Sequence, residues 1–371
     1  MSSAPALPRG TSSANPRSPR RASWCAGLVL LAARGPQPAA THQPAAATPQ
    51  AQPQPVLVPQ ALRAHVPLTE LSGLAWAPPL DRYLAVVDDS VDLDGANTRA
   101  PFVLALDRSG RLDEQTVPID GVNALDDAEA LTGAPDGRTY FLMTSHSPNH
   151  KGKVRRSRRQ LLRLALEGRR LRVTGRLDLL QETDGVVPKL ENLGLPAQTA
   201  VDLEGLCFHD GALYVGLKAP LLVSGEAVIM RLEQPAQAFS DGKLGPTTLS
   251  VWGRARLGVR AGGGASGEKS VVSQGIADLF FAPDGALYLC ANSPKGEPAD
   301  GGGGLWRVAA PGQGGALDAK LLRRFPGLKP EGVTLAPGAG ALTLVFDRNT
   351  LDPLWMTWPL AVARPNTGAA P

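Results

Sequence analysis

The amino-acid sequence predicts an all-β fold, and three observations support this prediction. Glycine (41 residues) and proline (34 residues) make up about a fifth of the 371 residues, a share typical of turn-rich proteins and not of long helical bundles. Short apolar runs alternate with Asp-Gly or Pro-Gly pairs, which is the pattern of β-hairpins. The same order of runs and turns recurs five times along the chain, so the strands should form a repeated unit.

Each repeat opens with a hairpin. The paired apolar runs are 72–78 with 83–87, 129–131 with 140–143, 204–208 with 213–215, 277–281 with 287–289, and 331–335 with 342–345. In three repeats an Asp-Gly pair joins the two runs, at Asp136-Gly137, Asp210-Gly211 and Asp284-Gly285. Glycine readily adopts the positive φ that tight hairpin turns need. We therefore expect every repeat to begin with two antiparallel strands.

Further apolar runs complete the repeat. A third run follows each hairpin, at 102–106, 161–166, 228–232, 305–309 and 354–358, and a fourth follows in four repeats, at 112–119, 171–177, 248–252 and 321–325. Four strands repeated around an axis describe the blade of a β-propeller. The sequence thus predicts a β-propeller of five four-stranded blades, or of six if the insertions at 179–200 and 254–274 form a degenerate further blade.

The two ends of the repeat array complement each other. The fifth repeat lacks a fourth run, and an additional run at 61–68 precedes the first repeat. We expect this N-terminal strand to complete the last blade and close the ring, because a closed ring leaves no long sheet edge exposed.

Residues 1–55 differ from the rest of the chain. They are rich in alanine and proline and contain five arginines and no acid. Arg20-Arg21 precedes a single apolar run, 24–33, which suits a signal-peptide core and is too short to span a bilayer. We therefore predict an exported protein, periplasmic or extracellular, with a signal-like leader at 1–55, the propeller at 56–360 and a disordered tail at 361–371. The alternative for the leader is a disordered low-complexity segment.

The overall charge is small, but it is distributed unevenly. The net charge is +4, and residues 151–172 carry ten basic residues and one acid, whereas acids exceed bases outside this segment and the leader. The basic segment contains no aromatic residue, which argues against nucleic acid as a partner. No other segment approaches the length of a transmembrane span, and no protein partner is indicated.

The three cysteines indicate neither a disulfide framework nor a zinc site. Cys25 lies in the leader, and Cys207 and Cys290 lie in apolar runs with no Cys-x-x-Cys spacing. We expect Cys207 and Cys290 to be buried, unreactive thiols.

Acidic residues recur where the first strand of a hairpin begins. Since hairpin geometry places that position beside the end of the second strand, these groups should meet on one rim. The candidate metal ligands there are Asp127, Glu129, Asp202, Glu204, Asn292 and Glu331. The spacing of two in Asp127-x-Glu129 and Asp202-x-Glu204 would place each pair on one side of a strand.

Two interpretations of these acids remain open. Carboxylate and amide oxygens are the ligands that calcium prefers, and a bound cation could polarise a phosphate or ester oxygen. Alternatively, the acids accept hydrogen bonds from backbone N–H groups and pair with cations, which would hold neighbouring blades together. The equivalent position in the other two repeats holds Ser72 and Ala277, and this non-uniformity favours a site over a purely structural motif.

A polar and basic loop rises from the same rim. It runs from Ser145-His146-Ser147 through Lys151 and Lys153 into an arginine-rich stretch. Such groups could bind an anion, so the candidate ligand-binding residues are Ser145, Lys151, Lys153, Lys218 and Arg348. The alternative is a solvated loop whose cations pair with surface acids.

His146 is the candidate proton-transfer residue, because it shares the rim with these groups. Nothing else indicates a serine-hydrolase triad, since there is no Gly-x-Ser-x-Gly elbow and the chain has only five histidines. The glycine-rich stretches 262–264 and 301–304 lack the features of a nucleotide-binding loop.

Several motifs together resemble a known family. They are Asp127-Ala128-Glu129-Ala130-Leu131, Ser145-His146-Ser147 with Lys151-Gly152-Lys153, and Asp202-Leu203-Glu204-Gly205-Leu206 with Tyr214-Val215-Gly216-Leu217-Lys218. The chain resembles, over roughly residues 65–360, the bacterial domain of unknown function 3616. It is more distantly similar to the phytase-like esterase propellers, which also repeat Asp-x-Glu-Gly. The first resemblance implies a repeat propeller, and the second implies hydrolysis of phosphate or carboxylic esters, with calcium.

The sequence therefore leads to two hypotheses. The first is an exported propeller that hydrolyses a small anionic or ester ligand with the help of a metal, which is held by the six candidate ligands above. The second is a non-catalytic ligand-binding or scaffold propeller, in which the same acids lock the blades together.

Overall fold

A computed structural model describes residues 52–66, 69–87, 101–149, 151–180, 200–245, 249–260, 271–293, 302–338, 340–348 and 351–360. The predicted tail, all but the last four residues of the predicted leader, and most of the insertion at 179–200 lie outside these described residues. Among the described residues, none of the helices combines the length and the apolar character that crossing a bilayer requires.

The described residues form an all-β structure, as predicted, and its strands group into five units. Unit 1 contains β2 (Leu71–Ala77), β3 (Arg82–Val87), β4 (Phe102–Leu106) and β5 (Val117–Asp120). Unit 2 contains β6 (Ala128–Gly133), β7 (Thr139–Thr144), β8 (Leu161–Glu167) and β9 (Arg170–Leu177). Unit 3 contains β10 (Asp202–His209), β11 (Ala212–Ala219), β12 (Ala227–Leu232) and β13 (Leu249–Ala255).

Units 4 and 5 follow the same plan. Unit 4 contains β16 (Gly275–Phe281), β17 (Leu287–Asn292), β18 (Gly303–Val308) and β20 (Ala319–Phe325). Unit 5 contains β21 (Lys329–Leu335), β22 (Ala341–Asp347), β23 (Leu354–Pro359) and the N-terminal β1 (Gln54–Pro55). Within each unit, neighbouring strands pair antiparallel in the order first, second, third, fourth. All five predicted hairpins are present.

The first strand of each unit is the innermost one. These strands contact one another in a closed cycle, β2 with β6, β6 with β10, β10 with β16, β16 with β21, and β21 with β2. The five apolar clusters of the core lie between neighbouring units, so each sheet is covered on both faces. In β7, for example, Phe141 and Met143 face unit 3, whereas Tyr140 and Leu142 face unit 1. Burial on both faces explains why the strands read as continuous apolar runs.

The N-terminal strand closes the ring, but it is not the strand predicted from the sequence. Gln54 of β1 pairs with Trp355 of β23, and Leu57 exchanges backbone hydrogen bonds of 2.8 and 2.9 Å with Gly110 and Leu112 of unit 1. The predicted strand 61–68 is wrong, because Gln60–Arg63 forms a short helix, α1, that buries Leu62 against the last interface. The strand that closes the ring is therefore β1 (Gln54–Pro55), which precedes the predicted strand 61–68.

Several elements were not predicted. They are the helix α2 (Pro235–Asp241), the paired strands β14 (Gly258–Arg260) and β15 (Val271–Ser273) within the insertion at 254–274, the short strand β19 (Gly315–Leu317), and the 3₁₀ turns Pro78–Leu80 and Arg156–Arg158. The helix α2 packs Ala238 and Phe239 against the core between units 2 and 3. Neighbouring units also join at their outer strands, since β5 pairs in parallel with β9 and β13 with β19.

Every first strand carries a β-bulge at the same place. The ladder to the second strand skips Glu129 in unit 2, Glu204 in unit 3, Ala277 in unit 4 and Glu331 in unit 5, and it shifts at Ser72-Gly73 in unit 1. A bulged residue leaves the regular alternation of faces, and bulges often re-aim side chains beside functional sites. The glutamate positions of the repeat are therefore bulge positions, which the spacing of two did not reveal.

The residue after the bulge lies where neighbouring first strands approach closely. A methyl group on Gly73 would overlap the backbone of Ala130 and Leu131 in unit 2, and one on Gly332 would overlap the carbonyl oxygen of Ser72 in unit 1. The glycine of the Glu-Gly motif in unit 5 and its equivalent in unit 1 thus permit the close contact of adjacent units.

We predict that Gly73→Ala lowers the free energy of unfolding by about 1–3 kcal/mol or more, since the backbone of unit 2 must shift to accommodate the methyl group. Gly340→Ala is the matched control, because open space surrounds that position. Urea denaturation of both variants measures the difference, and equal stabilities would refute the close-contact explanation.

Candidate functional site

The axial end of the first strands gathers buried carboxylates. Asp127, Glu129 and Asp202 each offer an oxygen, and these three oxygens lie within 4.8 Å of one another. Their exposed fractions are 6%, 6% and 8%. Two neighbouring units thus bring together three of the six predicted metal ligands, and we call this group the carboxylate cluster.

Local backbone structure positions the carboxylate cluster. Asp127 precedes β6 with a left-handed conformation, φ 62°, which is uncommon for a residue with a side chain and is often found at functional sites. Glu129 occupies the bulge of β6. The backbone of Ser145 connects the two units, since it donates to the carbonyl of Asp127 at 3.0 Å and accepts from Leu203 at 2.8 Å. This connection places Asp202 beside the acids of unit 2.

A buried arginine holds Asp127. Oδ2 of Asp127 accepts hydrogen bonds from Ser145 Oγ, from Ser147 Oγ at 3.2 Å and from Arg158 Nη2. Arg158 also donates to the carbonyl oxygen of Ser147 at 2.9 Å and to Asp126 at 3.1 Å. The predicted ligand-binding residue Ser145 therefore positions an acid of the carboxylate cluster.

Sequence reasoning missed the roles of Arg158 and Ser147. Arg158 is one of four arginines within five residues, at 155, 156, 158 and 159, and nothing in that run distinguishes the arginine that becomes buried. The distinguishing contact is long-range, since the backbone N–H of His146 donates to the carbonyl of Arg158 at 2.8 Å.

A second buried charge group adjoins the carboxylate cluster. The ammonium of Lys218, at the end of β11, pairs with Glu204 Oε2 and lies 3.9 Å from Glu331 Oε2. All three side chains are buried. Units 3 and 5 thus share one lysine, and the predicted ligand-binding residue Lys218 is engaged by two of the predicted metal ligands.

The electrostatics of this group follow from burial and crowding. Burial, together with the carboxylates of Glu331 and Asp202, raises the pKa of Glu204 to about 8, although Lys218 opposes the shift. Burial disfavours the ammonium form of Lys218, but the surrounding carboxylates outweigh it and raise the pKa of Lys218 above its ordinary value. The carboxylates thus retain the lysine as a cation.

Asp278 has the structural role that the second interpretation assigned to the acids, in which they join neighbouring units. Its carboxylate accepts backbone hydrogen bonds from Leu279 at 2.8 Å, from Leu206 of unit 3 at 3.4 Å and from Val333 of unit 5 at 2.7 Å. Burial raises its pKa well above the ordinary value, against the opposing effect of these three donors. Asp278 therefore locks three neighbouring units together.

Asn292 brings an amide oxygen to the same end of the sheets. Its Nδ2 donates to the carbonyl of Pro330 at 3.2 Å, beside Glu331. The side chain is 2% exposed, and its Oδ1 accepts no hydrogen bond. A buried acceptor of this kind normally has a partner, so Oδ1 is suited to a cation or a hydrogen-bond donor.

Buried carboxyl groups outnumber buried cations at this end of the described sheets. The described residues bury six carboxylates, Asp127, Glu129, Asp202, Glu204, Asp278 and Glu331, and two permanent cations, Arg158 and Lys218. Uncompensated buried charge is costly, and protons, hydrogen bonds or a metal ion must offset it. A hard divalent cation fits this donor set, because it prefers six to eight oxygen ligands.

His146 is buried beside this site, but its ring faces other partners. Nδ1 donates to the carbonyl oxygen of Thr144 at 2.8 Å, and Nε2 accepts from the backbone N–H of Leu179 at 3.4 Å. Burial lowers its pKa to about 4, with a smaller opposing effect of Asp178. Both nitrogens of a neutral ring are thus occupied, which gives His146 a positioning role and no support as a proton shuttle.

The remaining predicted ligand-binding residues do not join the carboxylate cluster. Lys151 and Lys153 are exposed, and their backbone N–H groups donate to Asn149 at 3.0 Å in a turn. Arg348 follows β22 and is half-buried. Cys207 and Cys290 are buried and unpaired, and burial raises the pKa of both thiols.

No family model and no curated protein matches this chain. Solved structures with some similarity include hydrazine synthase of Kuenenia stuttgartiensis, 13% identical with a TM-score of 0.36 over 74% of this chain and 64% of that one. An exo-β-1,3-galactanase of Phanerochaete chrysosporium is 9% identical, with a TM-score of 0.41 over 79% and 60% of the two chains.

The periplasmic gluconolactonase of Pseudomonas aeruginosa is 16% identical, with a TM-score of 0.35 over 79% of this chain and 68% of that one. This chain spans less than two thirds of the hydrazine synthase and galactanase chains. Since all three TM-scores lie below 0.5, the architecture rests on the strand pairing and the cyclic contacts described above.

We predict that Lys218→Met lowers the free energy of unfolding by about 3–5 kcal/mol, because it leaves Glu204 and Glu331 buried without their cation. Adding Glu204→Gln should recover part of this loss. Lys329→Met is the control, since Lys329 forms an exposed pair with Asp347 at 3.2 Å and should contribute about 1 kcal/mol or less. Urea denaturation in a chelator measures all three, and a loss at Lys218 no larger than at Lys329 would contradict the prediction.

His146 should make the protein acid-sensitive. Burial lowers the pKa of His146 to about 4 in the folded protein, against an ordinary value of about 6.5, so the unfolded chain binds more protons between these values. The stabilisation is complete above pH 6.5 and is lost as the pH falls toward 4, by roughly 3 kcal/mol. His146→Gln should lack this component, while Asp178 and Arg159 remain.

The measurement is the free energy of unfolding at intervals from pH 8 to pH 4 for both proteins. Above pH 7 the two curves should run parallel, which serves as an internal control. Parallel curves down to pH 4 would show that His146 is not held neutral.

Proposed function

We propose that this chain is a five-bladed β-propeller that binds a calcium-like divalent cation at its axial mouth and uses it to hydrolyse a phosphate or carboxylic ester. The convergence of Asp127, Glu129 and Asp202, whose carboxylate oxygens lie within 4.8 Å of one another, carries the proposal. The blade count is supported by five units whose first strands contact one another in one cycle. In the described part of the insertion at 254–274, β14 and β15 pair as a two-stranded sheet.

The residues divide into two roles under this proposal. Asp127, Glu129 and Asp202 would hold the cation, since their carboxylate oxygens converge. The buried amide oxygen of Asn292, at the same end of the sheets, would be a further candidate ligand. Arg158, Ser145 and Ser147 orient Asp127, and Lys218 orients Glu204 and Glu331. The bound cation would supply Lewis-acid polarisation of a phosphoryl or carbonyl oxygen. No proton transfer is assigned to His146.

We also propose a family for this chain and a location outside the cytoplasm. The sequence motifs around Asp127, Ser145 and Asp202 support membership of the domain of unknown function 3616 family, with a more distant relation to the phytase-like esterase propellers. An exported protein, periplasmic or extracellular, agrees with the basic and apolar segments of the leader. Calcium is the proposed metal, because the candidate ligands are oxygens and include no thiol or imidazole.

A non-catalytic scaffold propeller is the second candidate, and one observation favours it. Asp278 has no need of a metal, since three backbone N–H groups from three units satisfy its carboxylate. If the other acids act in the same way, they stabilise the ring and bind nothing.

We predict that millimolar calcium raises the Tm by a few degrees over the protein in excess chelator, because a ligand that binds only the folded state stabilises it by mass action. Asp202→Asn should abolish most of this shift. Asp120→Asn is the matched control, since Asp120 is an exposed acid paired with Arg170. The wild-type protein should then hydrolyse an aryl phosphate, an aryl acetate or a lactone only with the metal.

The outcomes separate the two candidates. A shift lost in Asp202→Asn together with metal-dependent turnover supports the hydrolase. A shift without turnover on any of the three substrates supports a cation-stabilised scaffold. No shift with calcium, magnesium or zinc would remove the metal site, and the acids would then be structural.

A further inference from the structure

The loop that supplies Arg158 also borders a large cavity. This cavity of about 670 Å³ lies between the segment 154–160 and the end of β9, and its lining includes Val154, Arg156, Arg159, Arg176, Leu177 and Asp178. A smaller cavity of about 260 Å³ shares Arg156, Gln160 and Arg176 with it. The two together form one basic recess on the side of unit 2.

The lining of the larger cavity carries a positive charge. Its described lining residues include three guanidinium groups and one carboxylate, that of Asp178. Arg159 pairs with Asp178 at 2.8 Å, whereas Arg176 donates to a neutral group, the carbonyl oxygen of Gly121. Among the described residues of the lining, no carboxylate therefore pairs with Arg156 or Arg176. A recess of this kind concentrates anions.

We propose that this cavity binds a small organic phosphate. Guanidinium groups form paired, charge-assisted hydrogen bonds with tetrahedral oxyanions, and three of them reach the cavity from two different segments. The volume of 670 Å³ is within the range of pockets for small organic ligands and exceeds the needs of a bare phosphate ion. Val154 and Leu177 supply apolar surface for the organic part.

This site is separate from the carboxylate cluster and does not depend on the proposed hydrolysis. The 3₁₀ turn Arg156–Arg158 divides its arginines, since Arg158 is buried against Asp127 while Arg156 lines the cavity. The carboxylate cluster is suited to a cation and the cavity to an anion. The site also replaces the predicted anion-binding lysines, Lys151 and Lys153, which lie on the same loop but are absent from the described lining.

Isothermal titration calorimetry in excess chelator tests the proposal with three probes: inorganic phosphate, phenyl phosphate and benzoate. Phenyl phosphate should bind most tightly and benzoate most weakly, and added salt should weaken binding because the attraction is between charges. Arg156→Gln combined with Arg176→Gln should weaken phenyl phosphate binding at least about tenfold. Arg156→Gln alone, at an exposed position, should weaken it measurably and leave folding unchanged.

The control variant is Lys151→Gln with Lys153→Gln, which removes the same amount of charge, from the loop that carries Arg156, and should change the affinity by less than about twofold. Asp202→Asn should also retain phenyl phosphate binding, which keeps this test distinct from that of the metal site. The proposal is overturned if neither phosphate probe binds at millimolar concentration, or if the lysine variant loses as much affinity as the arginine variant. Equal affinities for phenyl phosphate and benzoate would overturn the assignment of a tetrahedral anion.

Discussion

The burial of six carboxylates around one axis is the constraint on which the rest of this structure depends. Each must be offset where it lies, and the chain uses three different means within the described residues. A guanidinium from a neighbouring loop offsets Asp127, an ammonium shared between two units offsets Glu204 and Glu331, and backbone amides satisfy Asp278. Because these means differ from unit to unit, the units share one backbone arrangement but differ in how their buried carboxylates are offset.

The backbone repeat explains why these charges meet at all. A bulge at the equivalent position of every first strand interrupts the alternation of faces, and glycines at 73 and 332 let adjacent first strands approach closely. The site and the packing of the units are thus produced by the same few residues. If both proposals hold, a substitution there would affect stability and cation binding together, whereas one in the recess beside unit 2 would affect phosphate binding alone.

Much of the fold could be predicted from the sequence because its signals are local. Asp-Gly turns, short apolar runs and their repetition identified all five hairpins. The convergence of Asp127, Glu129 and Asp202 also followed from hairpin geometry. The closing strand was misplaced because two residues, Gln54 and Pro55, carry no strand pattern, and only their pairing partner some 300 residues away defines them.

The individual contacts of the site were beyond sequence reasoning for the same reason. Which arginine of a basic run becomes buried depends on a backbone hydrogen bond between His146 and Arg158, on opposite sides of the loop. Likewise, the sequence pattern placed His146 on the same rim as the acids. In the structure its imidazole instead forms hydrogen bonds with the backbone of Thr144 and Leu179. The sequence could predict that these side chains lie near one another at the strand ends, but it could not predict the orientation of each side chain.

The closing strand has a consequence for how the chain acquires its structure. Residues 54–57 join β23 on one side and unit 1 on the other, so this seam forms only between the earliest and the latest parts of the ring to be synthesised. Contacts so distant in sequence slow folding, and until the seam forms, the incomplete ring presents unpaired edges to other chains. A nascent copy of this protein would therefore be most vulnerable to misassembly just before its last strand emerges.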